Sequence, residues 1–587
     1  MRRLEPWVVG LGTVAATVVL ALRKLADFDL PGHLAVGRLV ATTHGRLRVD
    51  DLSYTHRPIQ NVEYVSDVIL YFTSRLGGPF ALQVLGAFLA LGIATCLVAS
   101  TKRARWVAVP VVALTIAAVQ PWLLVRPATA SFLLLAILFV AIFRSRVGTS
   151  RTSIVGVTLL FALWSNVHGF VLVGLAVIAG YTLYSFVCRI ARGRLGGLAP
   201  ESHGRDATRV AAATLGAAAG SMCNQAGIGL LTAPLRASND FGHITEWETT
   251  TFAFLVREAP LVLVVVVIAI AALALGGDAA SPAQTRSSPT LLDLGLVALA
   301  LVLGRSAVRM LPVACILIAP VVIRRIAGRL PDTSRLSLVA AVSACLVAPW
   351  MFLASPAQAG VGFDATHFSE RATDYIVATK PTGNMYNSLP LGGWLDWKLY
   401  PAFRTFVDHR QGWVHDPAVL KEYYASETDA AAFARLATEF KFEWAVVFAA
   451  EGSELGVPIA HSPSWAMVYW DDATAIYVRT EGPNAPTARH GYRLMRHLTA
   501  PGDVLMASVR RDEMARRLAL DGRLAKRQAP DSPRATFLAG CAAIALDDRA
   551  SLDVAVADLA LIRPGHPGLE MLRAGWDAAE SAGTAQP

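Results

Sequence analysis

The chain has 587 residues, of which 54% are hydrophobic and 17% are charged, and its mean hydropathy is +0.46. Soluble domains carry about 25% charged residues, so this composition excludes an ordinary soluble protein. The net charge is +9, but the basic residues cluster in short loops between apolar blocks, which argues against nucleic acid as a partner. Six cysteines without a Cys-x-x-Cys pair indicate neither a disulfide framework nor a structural zinc site.

Apolar blocks alternate with short polar loops as far as residue 353, and the pattern then stops. A membrane-spanning helix needs about 20 apolar residues. We therefore predict a polytopic α-helical membrane domain over residues 1–353, with about 11 spans and a long first outer loop at 23–78. The predicted spans are 7–22, 80–99, 106–124, 128–143, 153–165, 168–187, 208–223, 260–276, 290–304, 307–323 and 335–353.

The distribution of basic residues predicts the orientation of these spans. If the N-terminus is cytoplasmic, nearly every large Arg/Lys cluster falls on the cytoplasmic side. The first block has no small-residue cleavage site, so it is not expected to be a signal peptide. An odd number of spans places the C-terminal half and the first loop outside the cell membrane. We predict a multi-pass protein of the bacterial inner (plasma) membrane with an extracytoplasmic C-terminal domain.

The first loop carries Asp27, Asp29 and His33 close to the predicted end of the first span. Acidic groups beside the hydrocarbon edge cost desolvation energy, which favours a functional interpretation. Asp27 or Asp29 could deprotonate an incoming hydroxyl as a general base. The pair could instead hold a divalent cation such as Mg or Mn. The structural alternative is a solvated acidic pair that caps a following helix, and an extended backbone would point the two carboxylates in opposite directions.

Further polar residues are predicted on the same outer side: Arg126, His168, Glu246, Arg305 and Arg309. Arginine binds phosphate in a bidentate way, so the arginines are candidates for a lipid phosphate or pyrophosphate. They could instead snorkel to headgroups or form a buried ion pair with Asp27, Asp29 or Glu246. His168 could bind a sugar or phosphate or cap a helix pair, and Glu246 could hold a substrate hydroxyl or a metal.

Residues 354–485 predict a small extracytoplasmic α/β domain. A strand is expected at 404–408, a buried strand at 445–448 and a hairpin at 465–478, with helices between them. Residues 486–587 predict a helical tail with one tetratricopeptide-like hairpin, which could bind a protein partner or pack on the α/β domain.

Three residues of the α/β domain are candidates for contact with an acceptor. Trp394 and Asp396 belong to a Gly-Gly-Trp-Leu-Asp-Trp run, and tryptophans stack on sugar or peptide faces while aspartates accept hydrogen bonds. The alternative is a turn at the two glycines, with the tryptophans filling a core. Asp408 follows the predicted strand and could be functional or part of a local salt-bridge network.

The order of these features resembles the GT-C superfamily of membrane glycosyltransferases, which includes protein O-mannosyltransferases, lipid A aminoarabinose transferases and the catalytic subunit of oligosaccharyltransferase. The matching stretches are Asp27–Asp29 with His33, Asp51–Thr55, Arg126–Pro127, Trp164–Gly169, Glu246–Trp247 and Arg305 with Arg309. The resemblance covers roughly residues 1–485. It implies that a sugar moves from a polyprenyl-phosphate carrier to a lipid, glycan or protein acceptor at the outer face. A first-loop aspartate would be the base and the arginines would hold the phosphate.

Two other classes of function stay open at this point. One is a transporter or flippase for a lipid-linked glycan, although the sequence has no symmetric halves with paired broken helices. The other is a non-catalytic scaffold of cell-envelope glycan assembly, in which the outer domain and the helical tail bind partners.

Overall fold

A computed structural model describes residues 23–45, 49–55, 63–100, 105–144, 146–191, 194–195, 198, 206–230, 245–275, 289–327, 359–411 and 414–584. The first and last predicted spans, 7–22 and 335–353, lie outside these residues. The chain divides into two compact units. We call them the apolar unit (Met1–Asp27, Val36–Arg46 and Gln60–Gly362) and the α/β unit (Phe28–Ala35, Leu47–Ile59 and Phe363–Pro587).

The apolar unit is built from helices that coincide with every span predicted between residues 80 and 323. They run Tyr64–Ala99, Arg105–Val119, Pro127–Phe143, Arg151–Trp164, Val171–Ala191, Ala207–Ser221, Pro260–Leu275, Leu291–Ser306 and Leu311–Ala327. In the described part of the chain, three helices are long and apolar enough to cross a membrane: Tyr64–Ala99, Val171–Ala191 and Val308–Ala327. The chain is thus a membrane protein, while the count of about 11 spans stays a prediction.

The region predicted as the first outer loop, 23–78, contains helical structure. One helix covers Asp29–Thr42, and another begins at Tyr64 rather than near residue 80. The longer helix is kinked at Gly78, where φ is +60° and ψ is −148°. Glycine adopts a positive φ at little cost, and Pro79 cannot continue the hydrogen-bond pattern of a helix. The apolar run becomes continuous only after this kink.

Small residues let two helices of the apolar unit approach a third, Arg151–Trp164, closely. A Cβ on Gly220 would lie 2.3 Å from the carbonyl oxygen of Thr158, and one on Gly174 would lie 2.5 Å from the indole of Trp164. That indole is fully buried and donates its Nε1–H to Ser131 Oγ at 2.7 Å. Helices in a lipid environment associate through such close packing and through hydrogen bonds between helices.

The α/β unit contains a four-stranded sheet with the strand order β1-β2-β4-β3. Its strands are β1 (Asn384–Asn387), β2 (Phe442–Phe448), β3 (Trp465–Trp470) and β4 (Thr474–Arg479). Strand β1 is parallel to β2, and the other two pairings are antiparallel. The predicted buried strand is thus β2, and the predicted hairpin is β3 and β4. The helices around the sheet run Glu370–Thr379, Leu389–Leu399, Pro417–Ser426, Ala430–Phe440 and Val457–His461.

The helical tail packs on this sheet and shares its hydrophobic core. Its helices run Pro501–Val509, Glu513–Gln528, Pro533–Ala545, Arg549–Ile562 and Gly568–Thr584. Phe537 and Leu538 belong to the same buried cluster as Trp470 and Tyr477 of the sheet. Gln528 adds a hydrogen bond of 2.8 Å from its side-chain amide to the carbonyl oxygen of Val468. Of the two alternatives for the tail, packing on the α/β domain is the one observed.

Two segments of the first loop fold within the α/β unit. Ser53 pairs with Thr405 in a parallel bridge, and Tyr54 N–H donates to the carbonyl oxygen of Thr405 at 3.2 Å. The predicted strand at 404–408 is wrong beyond this bridge. The backbone N–H of Phe406 instead donates to the side-chain oxygen of Asn387 at 2.8 Å, so a side chain replaces the neighbouring strand.

Candidate functional site

The start of the first loop is held by the apolar unit around Gln83. The Gln83 amide donates to the carbonyl oxygens of Arg23 at 2.5 Å and Gly360 at 2.9 Å, and it accepts from the N–H of Gly362 at 3.3 Å. Leu25 N–H also donates to the carbonyl oxygen of Gly362 at 2.9 Å. This side chain therefore ties together two segments that are far apart in the sequence, immediately before Asp27.

Asp27 and Asp29 occupy different environments. Asp27 is buried at the end of the segment that Gln83 holds, in the apolar unit. Asp29 is half-buried and forms the first residue of the helix Asp29–Thr42, in the α/β unit. A carboxylate in the first turn of a helix interacts favourably with the helix dipole, which matches the capping alternative for Asp29.

Arg126 forms an ion pair with Glu246 in the apolar unit. Both terminal guanidinium nitrogens lie 3.2 Å from the same carboxylate oxygen, Oε1. The Arg126 side chain is 10% exposed and the Glu246 side chain 39%. A single oxygen facing two nitrogens is not the parallel, two-oxygen arrangement in which arginine pairs most strongly with an oxyanion. Arg126 therefore forms the ion pair that was the structural alternative, and its partner Glu246 is partly exposed.

Arg309 stacks on aromatic rings in the same unit. Its guanidinium carbon lies 4.3 Å from the centroid of the Trp247 indole and 5.4 Å from that of the Phe170 ring. Such stacking fixes the plane of the guanidinium by a cation–π interaction. The turn that carries Arg309 is held by the Val308 N–H, which donates to the carbonyl oxygen of Glu248 at 3.0 Å.

His168 also contacts Phe170, the ring that Arg309 approaches. The two rings are 4.4 Å apart, and His168 Nδ1 accepts the backbone N–H of Phe170 at 3.1 Å. The proton of the neutral imidazole is then on Nε2, which lies 3.5 Å from Glu63 Oε1. His168 thus caps the start of the following helix and also presents a donor to a carboxylate.

Four of the predicted residues in the apolar unit are linked by contacts or by adjacent positions in the chain, together with two aromatic neighbours. We call this set the arginine cluster: Arg126, His168, Phe170, Glu246, Trp247 and Arg309. Arg305 is not part of it, because its side chain is exposed at the end of the helix Leu291–Ser306. The cluster combines two guanidinium groups with aromatic rings at the ends of apolar helices, which is chemistry suited to a phosphate and an adjoining sugar.

A second polar group lies in the α/β unit around Asp408. Arg410 donates to the two carboxylate oxygens of Asp408 at 2.9 and 2.5 Å and to Asp50 Oδ1 at 2.8 Å. His415 Nε2 lies 3.3 Å from the same carboxylate. Burial alone would raise the pKa of Asp408, but Arg410 and His415 hold that pKa well below its usual value. Asp408 thus belongs to the salt-bridge network that was the structural alternative.

His33 lies beside His409 within this unit, with the ring centroids 5.0 Å apart. Burial and the nearby His33 lower the pKa of His409 well below its usual value. The His409 ring lies against Gly32, the residue before His33. A Cβ added to Gly32 would lie 2.0 Å from the His409 ring. Only glycine leaves room for the second histidine at this position.

Trp394 and Asp396 are buried in the α/β unit. Trp394 is 1% exposed, packs on Phe363 and Phe368, and donates its Nε1–H to the carbonyl oxygen of Ser369 at 3.2 Å. Asp396 accepts the hydroxyl of Thr405 at 2.8 Å, and burial together with nearby Asp408 raises its pKa well above the usual value. Trp394 of the Gly-Gly-Trp-Leu-Asp-Trp run therefore packs in a core, as the structural alternative predicted. The predicted turn at its two glycines is wrong, because they lie inside the helix Leu389–Leu399.

A divalent cation at Asp27 and Asp29 stays a prediction. Across the described ranges, no group of three or more His, Cys, Asp or Glu side chains could hold a metal ion. Magnesium keeps near-octahedral oxygen coordination and usually takes one or two carboxylates plus substrate and water.

Three residues that sequence reasoning missed belong to these sites: Gln83, Glu63 and His415. A signal was present for Gln83, because it is a lone polar residue in the apolar run Phe80–Ala90, and polar groups at membrane depth mark function or specific pairing. Glu63 and His415 stand in polar stretches with no pattern that distinguishes them from solvated residues.

No protein-family model matches the sequence, and no curated protein matches it. Solved structures are similar over most of the chain. They include the oligosaccharyltransferase of Archaeoglobus fulgidus in its apo form (11% identity, TM-score 0.45, 82% of this chain and 75% of that one). The arabinofuranosyltransferase AftD from Mycobacteria is 15% identical (TM-score 0.47, 82% of this chain and 40% of that one). ArnT from Cupriavidus metallidurans is 14% identical (TM-score 0.46, 80% of this chain and 97% of that one). The resemblance of the sequence to the GT-C superfamily stays a prediction.

Proposed function

We propose that this chain is an integral-membrane glycosyltransferase. It moves a sugar from a polyprenyl-phosphate carrier to a hydroxyl of a lipid, glycan or protein acceptor at the outer face of the bacterial inner membrane. The observation that carries the proposal is the arginine cluster, in which Arg126 and Arg309 lie at the ends of apolar helices of one unit. The polyprenyl class of the carrier follows from the resemblance of the sequence.

The chemistry of Arg126 supports a phosphate ligand. Its guanidinium faces one oxygen of a carboxylate that is 39% exposed, so an anion arriving from solvent or from the lipid surface can share or replace that contact. A phosphate offers two oxygens to the two nitrogens and carries more negative charge than a carboxylate. The bidentate pair with phosphate would therefore be stronger than the pair with Glu246.

Arg309 and the aromatic rings support a role at the leaving group. Trp247 fixes the plane of the guanidinium, so its N–H edge keeps one direction when charge develops on the departing phosphate. A preorganised cation at that place stabilises the transition state more than a mobile one. A sugar next to the phosphate can stack on an aromatic face, because one side of a pyranose or furanose ring is apolar.

Asp27 is the base in this proposal, because it belongs to the same compact unit as the arginine cluster. It takes the proton of the acceptor hydroxyl, whose oxygen forms a bond to the anomeric carbon of the sugar. The bond from that carbon to the phosphate oxygen breaks, and the phosphate leaves with the electron pair. The two arginines neutralise the added charge on the carrier phosphate. Gln83 keeps the backbone before Asp27 in place.

The experiment compares Asp27→Asn, Asp29→Asn and the matched control Asp206→Asn in cells that lack the chromosomal copy. Asp206 is exposed at the start of the helix Ala207–Ser221 and makes no capping hydrogen bond there. The glycans of the cell envelope are analysed by mass spectrometry, and the amount of each variant in the membrane is measured. We expect the glycan that disappears on deletion to return with the control and with Asp29→Asn, but not with Asp27→Asn. Normal glycans with both first-loop variants would reject the proposal, and loss with Asp29→Asn alone would reject Asp27 as the base.

A further inference from the structure

The helical tail contains an open groove with a volume of about 790 Å³. Its walls are the helices Glu513–Gln528, Pro533–Ala545 and Arg549–Ile562, and the segment 489–493 closes one side. The volume is within the range of ligand-binding clefts, about 300–1,000 Å³. This groove lies entirely within the α/β unit and shares no residue with the arginine cluster.

The rim of the groove is strongly basic. Four exposed arginines line it: Arg489, Arg493, Arg523 and Arg527. Within the described ranges, none of these four forms an ion pair with an acidic side chain, whereas the neighbouring Lys526 does.

The two acidic residues of the lining offset only part of this charge. Asp521 is buried and accepts the backbone N–H groups of Arg493, Leu494 and Met495 at 2.8 to 3.1 Å. Asp558 pairs with Lys526, the remaining basic residue of the lining, at 3.1 Å. Since both carboxylates are already engaged, the rim presents a net positive surface to a ligand.

The groove also exposes apolar side chains between the arginines. Leu520 is 54% exposed and Val554 is 61% exposed, and Ala539 and Ala543 also line the groove. Exposed leucine and valine inside a concave, polar-rimmed surface are typical of a binding site for a partner. A ligand that fits this groove therefore carries both negative charge and apolar groups.

We propose that the groove binds an acidic, amphipathic peptide segment of a partner protein. Glutamates or aspartates of the segment would pair with the rim arginines, and its apolar side chains would cover Leu520 and Val554. This is the mode in which an amphipathic segment lies in a helical groove. Single-stranded nucleic acid fits less well, because the lining contains no Phe, Tyr or Trp side chain on which bases could stack. A lipid surface fits less well, because the basic groups surround a concavity and do not form a flat patch.

The test uses the full chain in lipid nanodiscs and measures the anisotropy of a fluorescent peptide of alternating Glu and Leu. Two variants alter the groove: the double charge reversal Arg523→Glu/Arg527→Glu, and Leu520→Asp. The matched control, Arg516→Glu/Arg573→Glu, makes the same change of charge at exposed positions outside the lining. All altered side chains are exposed, so we expect the fold to be kept, and thermal unfolding of each variant checks this.

We expect the Glu-Leu peptide to bind the unaltered chain and the control equally, and both groove variants to bind at least about tenfold more weakly, which is about 1.4 kcal/mol. A Lys-Leu peptide of the same length should not bind. Equal binding by the groove variants and the control would overturn the proposal. It would also be overturned if anionic-lipid vesicles or oligonucleotides bound in a groove-dependent way and the Glu-Leu peptide did not.

Discussion

Asp50 and Arg410 form a buried ion pair, with 2.8 Å between Oδ1 and Nη1, although 360 positions separate them in the sequence. The carboxylate of Asp50 also accepts the backbone N–H groups of Leu52 and Ser53, at 3.0 and 3.3 Å. The pair therefore links a turn of the first loop to the C-terminal domain inside one compact unit. Two segments that share a buried contact must lie on the same side of the membrane.

Replacing Arg410 by Met should destabilise the α/β unit by about 3 to 5 kcal/mol, because it leaves two buried carboxylates without their cation. The control Arg404→Met removes a half-exposed arginine that lies 3.9 Å from Asp51, and surface pairs of this kind contribute about 1 kcal/mol or less. Thermal unfolding of the detergent-solubilised protein, followed by intrinsic fluorescence, measures both. A melting temperature for Arg410→Met as high as that of the control would contradict the role of this ion pair.

The pKa values of Asp396 and Asp408 should give the two positions opposite effects on stability. The raised pKa of Asp396 means that ionisation of this carboxyl costs free energy in the folded state at pH values above its unfolded pKa of about 3.9. Asp396→Asn keeps an oxygen that can accept the Thr405 hydroxyl, so the variant should be more stable than the unaltered chain at pH 7. The gain should disappear as the pH falls below about 4, where the carboxyl is protonated in both states.

Asp408→Asn is the contrasting variant. The lowered pKa of Asp408 contributes stability that is present above the unfolded pKa and is lost as the pH falls through the lower, folded value. This variant should be less stable than the unaltered chain at pH 7, with a deficit that shrinks under strong acid. Unfolding curves across this pH range test both signs, and a loss of stability at pH 7 in both variants would contradict the assignment for Asp396.

The helices of the apolar unit could be predicted from the sequence because a helix that crosses lipid must be long and apolar, which leaves a visible pattern. The hairpin of β3 and β4 could be predicted for a similar reason, since alternating apolar residues flank a polar turn. Arg126, His168 and Arg309 were found because each interrupts or separates apolar stretches, and Glu246 because it lies in a polar segment between two of them. These signals are local, so they survive in a single sequence.

The rest depends on contacts that no local pattern contains. No sequence pattern near Asp50 or Arg410 indicates that its partner lies 360 residues away. A turn was one interpretation of the glycines at 392 and 393. Their small size instead lets the helix that contains them pack closely against neighbouring segments. A Cβ on Gly393 would lie 2.8 Å from the backbone nitrogen of Gly32, and one on Gly392 would lie 2.2 Å from the carbonyl oxygen of Val407. Glycine indicates a need for space or for a special φ, and sequence alone does not distinguish the two.

Cysteine labelling should place the first loop and the C-terminal domain in one compartment. Val49→Cys and Val377→Cys introduce thiols at exposed positions of the α/β unit, and Leu195→Cys introduces one at an exposed position between two apolar helices. The exposed native Cys223 is first replaced by Ser. A membrane-impermeant maleimide added to intact cells should label the first two thiols but not the third, which the positive-inside rule predicts to be cytoplasmic. Labelling of only one of the first two would contradict a shared compartment.

Arg309→Lys should slow sugar transfer, because lysine keeps the charge but loses the planar group that stacks on Trp247. We expect the rate at saturating carrier to fall about 10- to 100-fold, which corresponds to about 1.4 to 2.7 kcal/mol of transition-state stabilisation. The control is Arg257→Lys, an exposed arginine on the helix Phe252–Arg257. Transfer from a labelled lipid-linked sugar measures both variants in nanodiscs. Equal transfer rates for Arg309→Lys and Arg257→Lys would contradict this prediction and show that a mobile cation suffices at position 309.

Glu246→Gln should tighten the binding of the carrier phosphate. In the absence of carrier, the Glu246 carboxylate neutralises Arg126, so a phosphate must compete with it for the guanidinium. Glutamine removes the competing charge and keeps the size of the side chain, and we expect the KM for the lipid-linked donor to fall about threefold to tenfold, or about 0.7 to 1.4 kcal/mol. Glu248→Gln is the control, because this exposed neighbour contributes its backbone carbonyl to the turn of Arg309 and a glutamine there leaves that contact intact. A rise in KM for Glu246→Gln, with no change for Glu248→Gln, would mean that Glu246 positions Arg126 and does not compete with the phosphate.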